Sequence, residues 1–177
     1  MDFDRQVAIV TGGSRGIGKT VAALLVQRGA SVVLVGRGRD ALERTANGLR
    51  AEYGDRVAIV AGDVADDATA RNAVETARQW FGGLDIVANI AGAFPTVRVE
   101  DMTNAQFAET IAANLSGTFV MCRAALPVLR ARGGGAIVNM SSTAARVPTP
   151  GLAVFGASKA GVEGFTPAPA QGAAPLQ

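Results

Sequence analysis

The sequence predicts an α/β fold of three layers, a doubly wound and mostly parallel sheet held between helices, and three observations carry that prediction. Short β-branched, apolar runs recur at residues 7–10, 31–35, Val57–Ala61, Ile86–Asn89 and 136–140. Each run is apolar nearly throughout instead of alternating, which is the pattern of strands covered on both faces by crossover helices. Longer segments of helical periodicity separate the runs, and a glycine-rich turn joins the first run to the first helix.

Taken in order, the first strand leads into Thr11-Gly12-Gly13-Ser14-Arg15-Gly16-Ile17-Gly18 and a helix over 17–28, whose apolar face shows in Val21, Leu24 and Leu25. Gly29 ends that helix ahead of the second strand. A helix over 39–52 follows, and Gly54 and Asp55 mark the turn into the third strand. Helix 66–81 precedes the fourth strand. A long helical segment over 104–132 is expected to contain a break, and Gly133-Gly134-Gly135 separates it from the fifth strand. A last helix is expected over 151–164. Beyond Phe165 no apolar period survives and Pro167, Pro169 and Pro175 intervene, so residues 1–165 are expected to form the domain and 166–177 a disordered tail.

Composition narrows the function classes. A chain of 177 residues, 49% hydrophobic and 18% charged, buries one sizeable core. Seventeen basic against fifteen acidic residues leave a net charge of +2, which does not call for a nucleic-acid partner. A single cysteine, Cys122, forms no intrachain disulfide, and no leader with a cleavage site opens the chain, so a reducing cytoplasm is expected. Charges and glycines interrupt every apolar stretch before it reaches bilayer length, so no membrane partner is expected either. The absence of histidine removes His-dependent nucleophile triads and most zinc sites.

The glycine turn carries the first chemical signal. Between a strand and a helix, Gly12 permits the sharp turn, Gly16 lets backbone approach a pyrophosphate and Gly18 lets the helix pack closely, leaving free amides aimed at an anion. Gly12, Ser14, Arg15, Gly16, Ile17 and Gly18 are therefore candidate dinucleotide-binding residues. The competing structural reading is a glycine-rich connection without a ligand. Gly13, Gly18, Lys19 and Thr20 also satisfy the Walker spacing, which would instead put Lys19 on terminal phosphates and Thr20 on magnesium.

The glycine turn, Asp63-Val64, Asn89-Ile90-Ala91-Gly92, Asn114, Ser142 and Ala157-Ser158-Lys159 together resemble the short-chain dehydrogenases and reductases. The resemblance implies a Rossmann fold and hydride transfer between a nicotinamide dinucleotide and a small carbonyl or alcohol substrate. In that family an acid at the end of the second strand favours NAD; here Arg37 stands there and Arg15 lies in the glycine turn, so the resemblance implies NADP. These arginines, with Arg39, are otherwise ordinary surface charges. Asp63 and Val64 resemble the pair lining the adenine, and Asn89, Ala91 and Gly92 the turn supporting the cofactor's middle, with Ile90 a departure from the commoner second asparagine.

The family's reaction uses a tyrosine as acid or base, a lysine four residues on that lowers its pKa and holds the ribose, a serine that orients the carbonyl and an asparagine that anchors a water relay. The resemblance places these roles on residue 155, Lys159, Ser142 and Asn114. Residue 155 is phenylalanine, which has no transferable proton. Ser142, or a water held by Lys159 and Asn114, is the candidate substitute. Taken singly, Ser142 also reads as a turn cap, Asn114 as a helix bend, Lys159 as a solvated charge and Phe155 as core. The two further strands, the proline–glycine turn and the substrate loop of the family are missing from this sequence, so a C-terminal truncation and an exposed apolar fifth strand are expected. Three functions follow in order: an NADP-linked oxidoreductase with reduced turnover; a catalytically silent dinucleotide-binding or oligomerisation module; and a P-loop nucleotide hydrolase. The long helix and the lysine helix resemble surfaces on which relatives pair, which makes a homo-oligomer an expectation.

Overall fold

In the computed structural model, which describes residues 2–167, the five apolar runs become the strands of one sheet. The predicted tail over 166–177 lies almost wholly outside the described residues. The chain runs β1 (Val7–Thr11), α1 (Gly16–Gln27), β2 (Ser31–Gly36), α2 (Arg39–Tyr53), β3 (Val57–Ala61), α3 (Asp67–Phe81), β4 (Ile86–Asn89), α4 (Asn104–Ile111), α5 (Gly117–Ala131), β5 (Ala136–Asn139) and α6 (Ala153–Phe165). The strand order is β3-β2-β1-β4-β5. Every pairing is parallel, with Val7 opposite Ser31, Ala8 opposite Ile86 and Ile86 opposite Ala136. The sheet is thus wholly rather than mostly parallel. Chain order reverses between β1 and β4, and in doubly wound sheets ligands bind at the carboxyl ends of strands at such a reversal.

The period-two alternation of strand side chains builds two cores from one sheet. Val7 and Ile9 of β1, Val33 and Val35 of β2 and Val87 of β4 face α3 and α5, meeting Ala70, Ala73, Ala77, Met121 and Ala125. Ala8 and Val10, Val32 and Leu34, and Ala88 face the other way, onto Ala22 and Val26 of α1 and Leu42, Ala46 and Leu49 of α2. Both faces of β1 and β2 are consumed, which is why their sequence shows no polar alternation. Each fully buried Val or Leu of this kind contributes about 1.5–3 kcal/mol relative to exposure. The Asp85 carboxylate accepts hydrogen bonds from Val7 N at 2.8 Å and Arg132 Nε at 2.5 Å, tying the start of β1 to the end of α5.

The predicted break in the long helix is a π-helical turn over Ala112–Ser116, between α4 and α5. A capping box starts α4: Gln106 N donates to Thr103 Oγ1 at 3.2 Å, and Thr103 N donates back to Gln106 Oε1 at 2.9 Å. Counted as one helix, Asn104–Ala131 is long and apolar enough to cross a membrane by length and composition, which corrects the sequence-based expectation that no segment is. That test is one a core helix also passes. Met121, Cys122, Ala125 and Leu129 of α5 are buried in this fold. At the sheet's far edge, β5 pairs only with β4 among the described residues, and Val138 is 59% exposed, as expected for an apolar strand without an outer neighbour.

Candidate functional site

The glycine turn lies at the carboxyl end of β1, next to the strand-order reversal. Gly12 takes a φ of +70° and Gly16 a φ of +53°, backbone that L side chains seldom adopt. A Cβ at Gly18 would stand 2.3 Å from the Gly12 carbonyl oxygen, so α1 sits on the turn at a distance only glycine allows. A Cβ at Gly16 would meet nothing within 4 Å, leaving the approach to the helix start open. No side chain caps α1 and its first turn holds no acid, so its leading amides are available to an anion. Arg15 and Ile17 are exposed beside them, and Ser14 is half-buried, its carbonyl accepting from Thr45 Oγ1 at 3.1 Å. The helix already begins at Gly16, so Lys19 and Thr20 fall within it, with Lys19 N donating to Arg15 O and Thr20 Oγ1 to Gly16 O.

Toward the second strand, Gly13 N donates to Val35 O at 3.3 Å, which fastens the glycine turn to the end of β2. Arg37 follows that end and pairs with Glu109 at 3.3 Å, both side chains exposed. Arg39 pairs with Glu43 along α2, whereas Arg15 makes no ion pair among the described residues. Asp63, after β3, accepts from Ala65 N at 2.9 Å in a tight local turn. The Val64 side chain is buried in the core, and a Cβ at Gly117 would come within 2.6 Å of it. An apolar side chain at that turn gains more from the core than from the rim.

Thr11 closes the middle of the site. Its hydroxyl accepts from Ile90 N at 2.9 Å and Ala91 N at 3.0 Å, holding the turn after β4 against the end of β1. Asn89 Nδ2 donates to Asn139 Oδ1 at 2.9 Å and Cys122 Sγ at 3.4 Å, joining β4, β5 and α5, while its buried Oδ1 has no partner. Gly92 must lack a side chain, because a Cβ there would lie 2.5 Å from Asn114 Oδ1 and 3.9 Å from Lys159 Nζ.

The structure brings the last four candidates to one end of the sheet. Asn114 is fully buried in the π-helical turn; its Oδ1 accepts from Ala93 N at 2.8 Å, and its Nδ2 donates to Ala93 O at 3.0 Å and Ser158 Oγ at 2.9 Å. Both amide hydrogens are committed to protein groups, so the side chain acts here as a clamp between the turn after β4 and α6. Ser142 Oγ accepts from Ala144 N at 3.2 Å, the turn-capping role, and leaves its hydroxyl proton free to donate. Lys159 is 5% exposed, and its Nζ donates to Met140 O at 2.7 Å, with no carboxylate paired to it among the described residues. Burial lowers its pKa below the ordinary lysine value. The Phe155 ring lies 5.9 Å from that ammonium and meets Phe94 edge-on at 4.6 Å between centroids. A cleft of about 230 Å3 lined by Ala144, Arg146, Thr149, Leu152, Gly156 and Ala160 lies on another face of α6, and none of these four candidates lines it.

The sequence profile described as short chain dehydrogenase matches residues 6–177. The chain belongs to the short chain dehydrogenase family. It is 35% identical over 161 residues to an uncharacterized oxidoreductase of Staphylococcus aureus, covering 91% of this chain and 68% of that protein. An uncharacterized oxidoreductase of Thermotoga maritima is 35% identical over 166 residues, covering 94% of this chain and 65% of the relative. A crystal structure of a provisionally assigned short-chain alcohol dehydrogenase from Sinorhizobium meliloti superposes with a TM-score of 0.87 at 34% identity, covering 93% of this chain and 65% of that one. The chain therefore spans about two thirds of the length of these relatives.

A short chain dehydrogenase takes a nicotinamide dinucleotide, and the residues present fit one: uncapped helix amides beside an open glycine with positive φ would donate to its diphosphate oxygens, and a buried ammonium lacking a counter-ion would donate to its ribose oxygens. Sequence reasoning missed four contributors. Thr11 was read as part of the turn, yet it fastens two strand ends. Ser158, which bonds Asn114 and donates to Phe155 O at 2.7 Å, lay inside a quoted motif without a role. Phe94 and the Met140 carbonyl carry no sequence signal, since the first is a lone aromatic in a loop and the second is backbone.

Proposed function

We propose that this short chain dehydrogenase transfers hydride between NADP(H) and a small carbonyl or alcohol substrate, with turnover limited by Phe155. The observation that carries the reading is the pairing of an open, uncapped glycine turn with a buried, counter-ion-free Lys159 at the same end of the sheet. When bound, the nicotinamide supplies or takes the hydride. Gly12, Ser14, Arg15, Gly16, Ile17 and Gly18 would hold the diphosphate, Arg15 and Arg37 a 2′-phosphate, Asp63 the adenine edge, and Asn89, Ala91 and Gly92 the middle of the cofactor. Lys159 would hold the nicotinamide ribose, and the free hydroxyl proton of Ser142 would orient the substrate oxygen.

Proton transfer is the weak step. A phenol near Lys159 would have its pKa drawn down from about 10 by the ammonium. Phe155 offers only a ring face, and losing a positioned acid costs about 10²- to 10⁴-fold in rate. The expected partners are a small-molecule substrate and a second copy of the chain, in a cytoplasmic setting, with neither nucleic acid nor membrane involved.

The alternative is a silent dinucleotide-binding module, and the edge-on Phe94–Phe155 pair favours it by filling the acid's place with apolar surface. Fluorescence titration with NADPH and NADH, then hydride-transfer assays on a carbonyl panel with wild type and Phe155→Tyr, separates the two. Tighter binding of NADPH and turnover raised at least tenfold by the tyrosine support the enzyme. Binding without turnover in either protein supports the module, and no binding by the folded chain refutes both.

A further inference from the structure

The Arg37–Glu109 pair joins two elements that lie on opposite sides of the strand-order reversal. Arg37 extends from the end of β2, which the Gly13–Val35 bond holds against the glycine turn, while Glu109 comes from α4, the helix reached from β4 on the far side of β1. The bridge therefore spans the carboxyl ends of the strands, over the crevice in which the fold's ligand end lies. Both side chains are well exposed, at 69% and 60%, so solvent and salt screen the pair and it is weak enough to exchange for a better ligand. A phosphate is such a ligand, because a guanidinium fork meets two of its oxygens at once, whereas here a single nitrogen meets a single carboxylate oxygen. Arg15 makes no ion pair among the described residues and is not subject to this competition.

We propose that Glu109 is a specificity-determining residue for the cofactor, competing with the adenosine 2′-phosphate for the Arg37 guanidinium. The inference rests on the dinucleotide-binding reading above. The competition acts only against ligands that carry the 2′-phosphate. A ribose bearing a free 2′-hydroxyl leaves the pair in place and meets a carboxylate able to accept from it. Glu109 thus narrows the margin between NADP and NAD that Arg37 alone would give, and it does so from a position 72 residues away in sequence.

The test uses the adenosine end alone. Calorimetric titration of the full chain with 2′,5′-ADP and with 5′-AMP is compared across wild type, Glu109→Gln, Arg37→Met and the double variant, with circular dichroism confirming that each is folded. Glu109→Gln is expected to tighten 2′,5′-ADP by about two- to fivefold, the range set by an exposed pair, and to leave 5′-AMP unchanged or slightly weaker. In the Arg37→Met background the same Glu109→Gln change is expected to have no effect, because the guanidinium being competed for is gone. An equal gain in both backgrounds would show simple repulsion between Glu109 and phosphate and overturn the proposal. Unchanged 2′,5′-ADP affinity in Glu109→Gln would overturn it too, while leaving the dinucleotide reading standing. Absence of binding by either nucleotide to the folded wild type would take down the dinucleotide reading and the proposal with it.

Discussion

Two glycine-to-alanine substitutions in helices should move the stability of this protein in opposite directions. At Gly18 an added Cβ would lie 2.3 Å from the Gly12 carbonyl oxygen and 2.7 Å from its carbon, whereas ordinary contact begins near 3.4 Å. Both partners are backbone, so no side chain can swing aside, and α1 must retreat by about 1 Å from the turn. Overpacking of this kind costs about 1–3 kcal/mol, and at about 2–4 °C per kcal/mol for a domain of this size Gly18→Ala should lower the melting temperature by about 2–12 °C. Gly48, in the middle of α2, is exposed and its Cβ would meet nothing within 4 Å. There alanine should stabilise by about 0.5–1 kcal/mol through helix propensity alone, raising the melting temperature by about 1–4 °C. Differential scanning calorimetry reads both, and NADPH titration separates them again: the retreat of α1 should weaken binding, and the change at Gly48 should leave it alone. A Gly18→Ala protein as stable as wild type and with undiminished NADPH affinity would refute the account of a turn and helix packed to the limit of glycine.

Two further outcomes follow from buried groups. Lys159 is desolvated and its folded pKa lies below 10.5, so the unfolded chain binds more protons and its contribution to stability grows as pH rises through the window between the folded value and 10.5. Melting temperatures of wild type and Lys159→Met followed from pH 7 to 10 should show any advantage of the methionine shrinking with pH; a constant difference would contradict the assignment. Cys122 is 1% exposed and burial raises its thiol pKa to about 11, so a disulfide reagent at pH 8 should leave it unmodified in the native protein and react fully in denaturant. Rapid native labelling would show that α5 does not pack as described.

The strands were legible because Val7–Thr11 and Ser31–Gly36 are buried on both faces, and such burial writes itself into sequence as uninterrupted apolar runs. The glycine turn was legible for a steric reason, since positive φ at Gly12 and Gly16 and the closeness of Gly18 each demand the same residue type. Local pattern does not carry a side chain's direction. The Val64 side chain after β3 turns into the core, and both amide hydrogens of Asn114 are committed to Ala93 and Ser158, neither of which residue type alone states. The Arg37–Glu109 pair was beyond reach because only the fold brings positions so far apart in sequence together. The break in the long helix is expected from sequence, but its form as a π-helical turn, within which Asn114 bonds Ala93, is not.

That wide turn has a consequence for how this region can vary. A π-helical turn is an ordinary helix carrying one surplus residue, and the helical faces before and after it stay in phase. Shortening Ala112–Ser116 by one residue would thus leave Val120, Met121 and Leu129 aimed at the sheet and the interior intact. What would vanish is the sideways bulge that carries Asn114 toward Ala93 and Ser158 and is steadied by Thr118 Oγ1 donating to the Asn114 carbonyl at 2.8 Å. The sheet-facing packing of α5 and the Asn114 link between Ala93 and α6 are thus separable by a single-residue deletion.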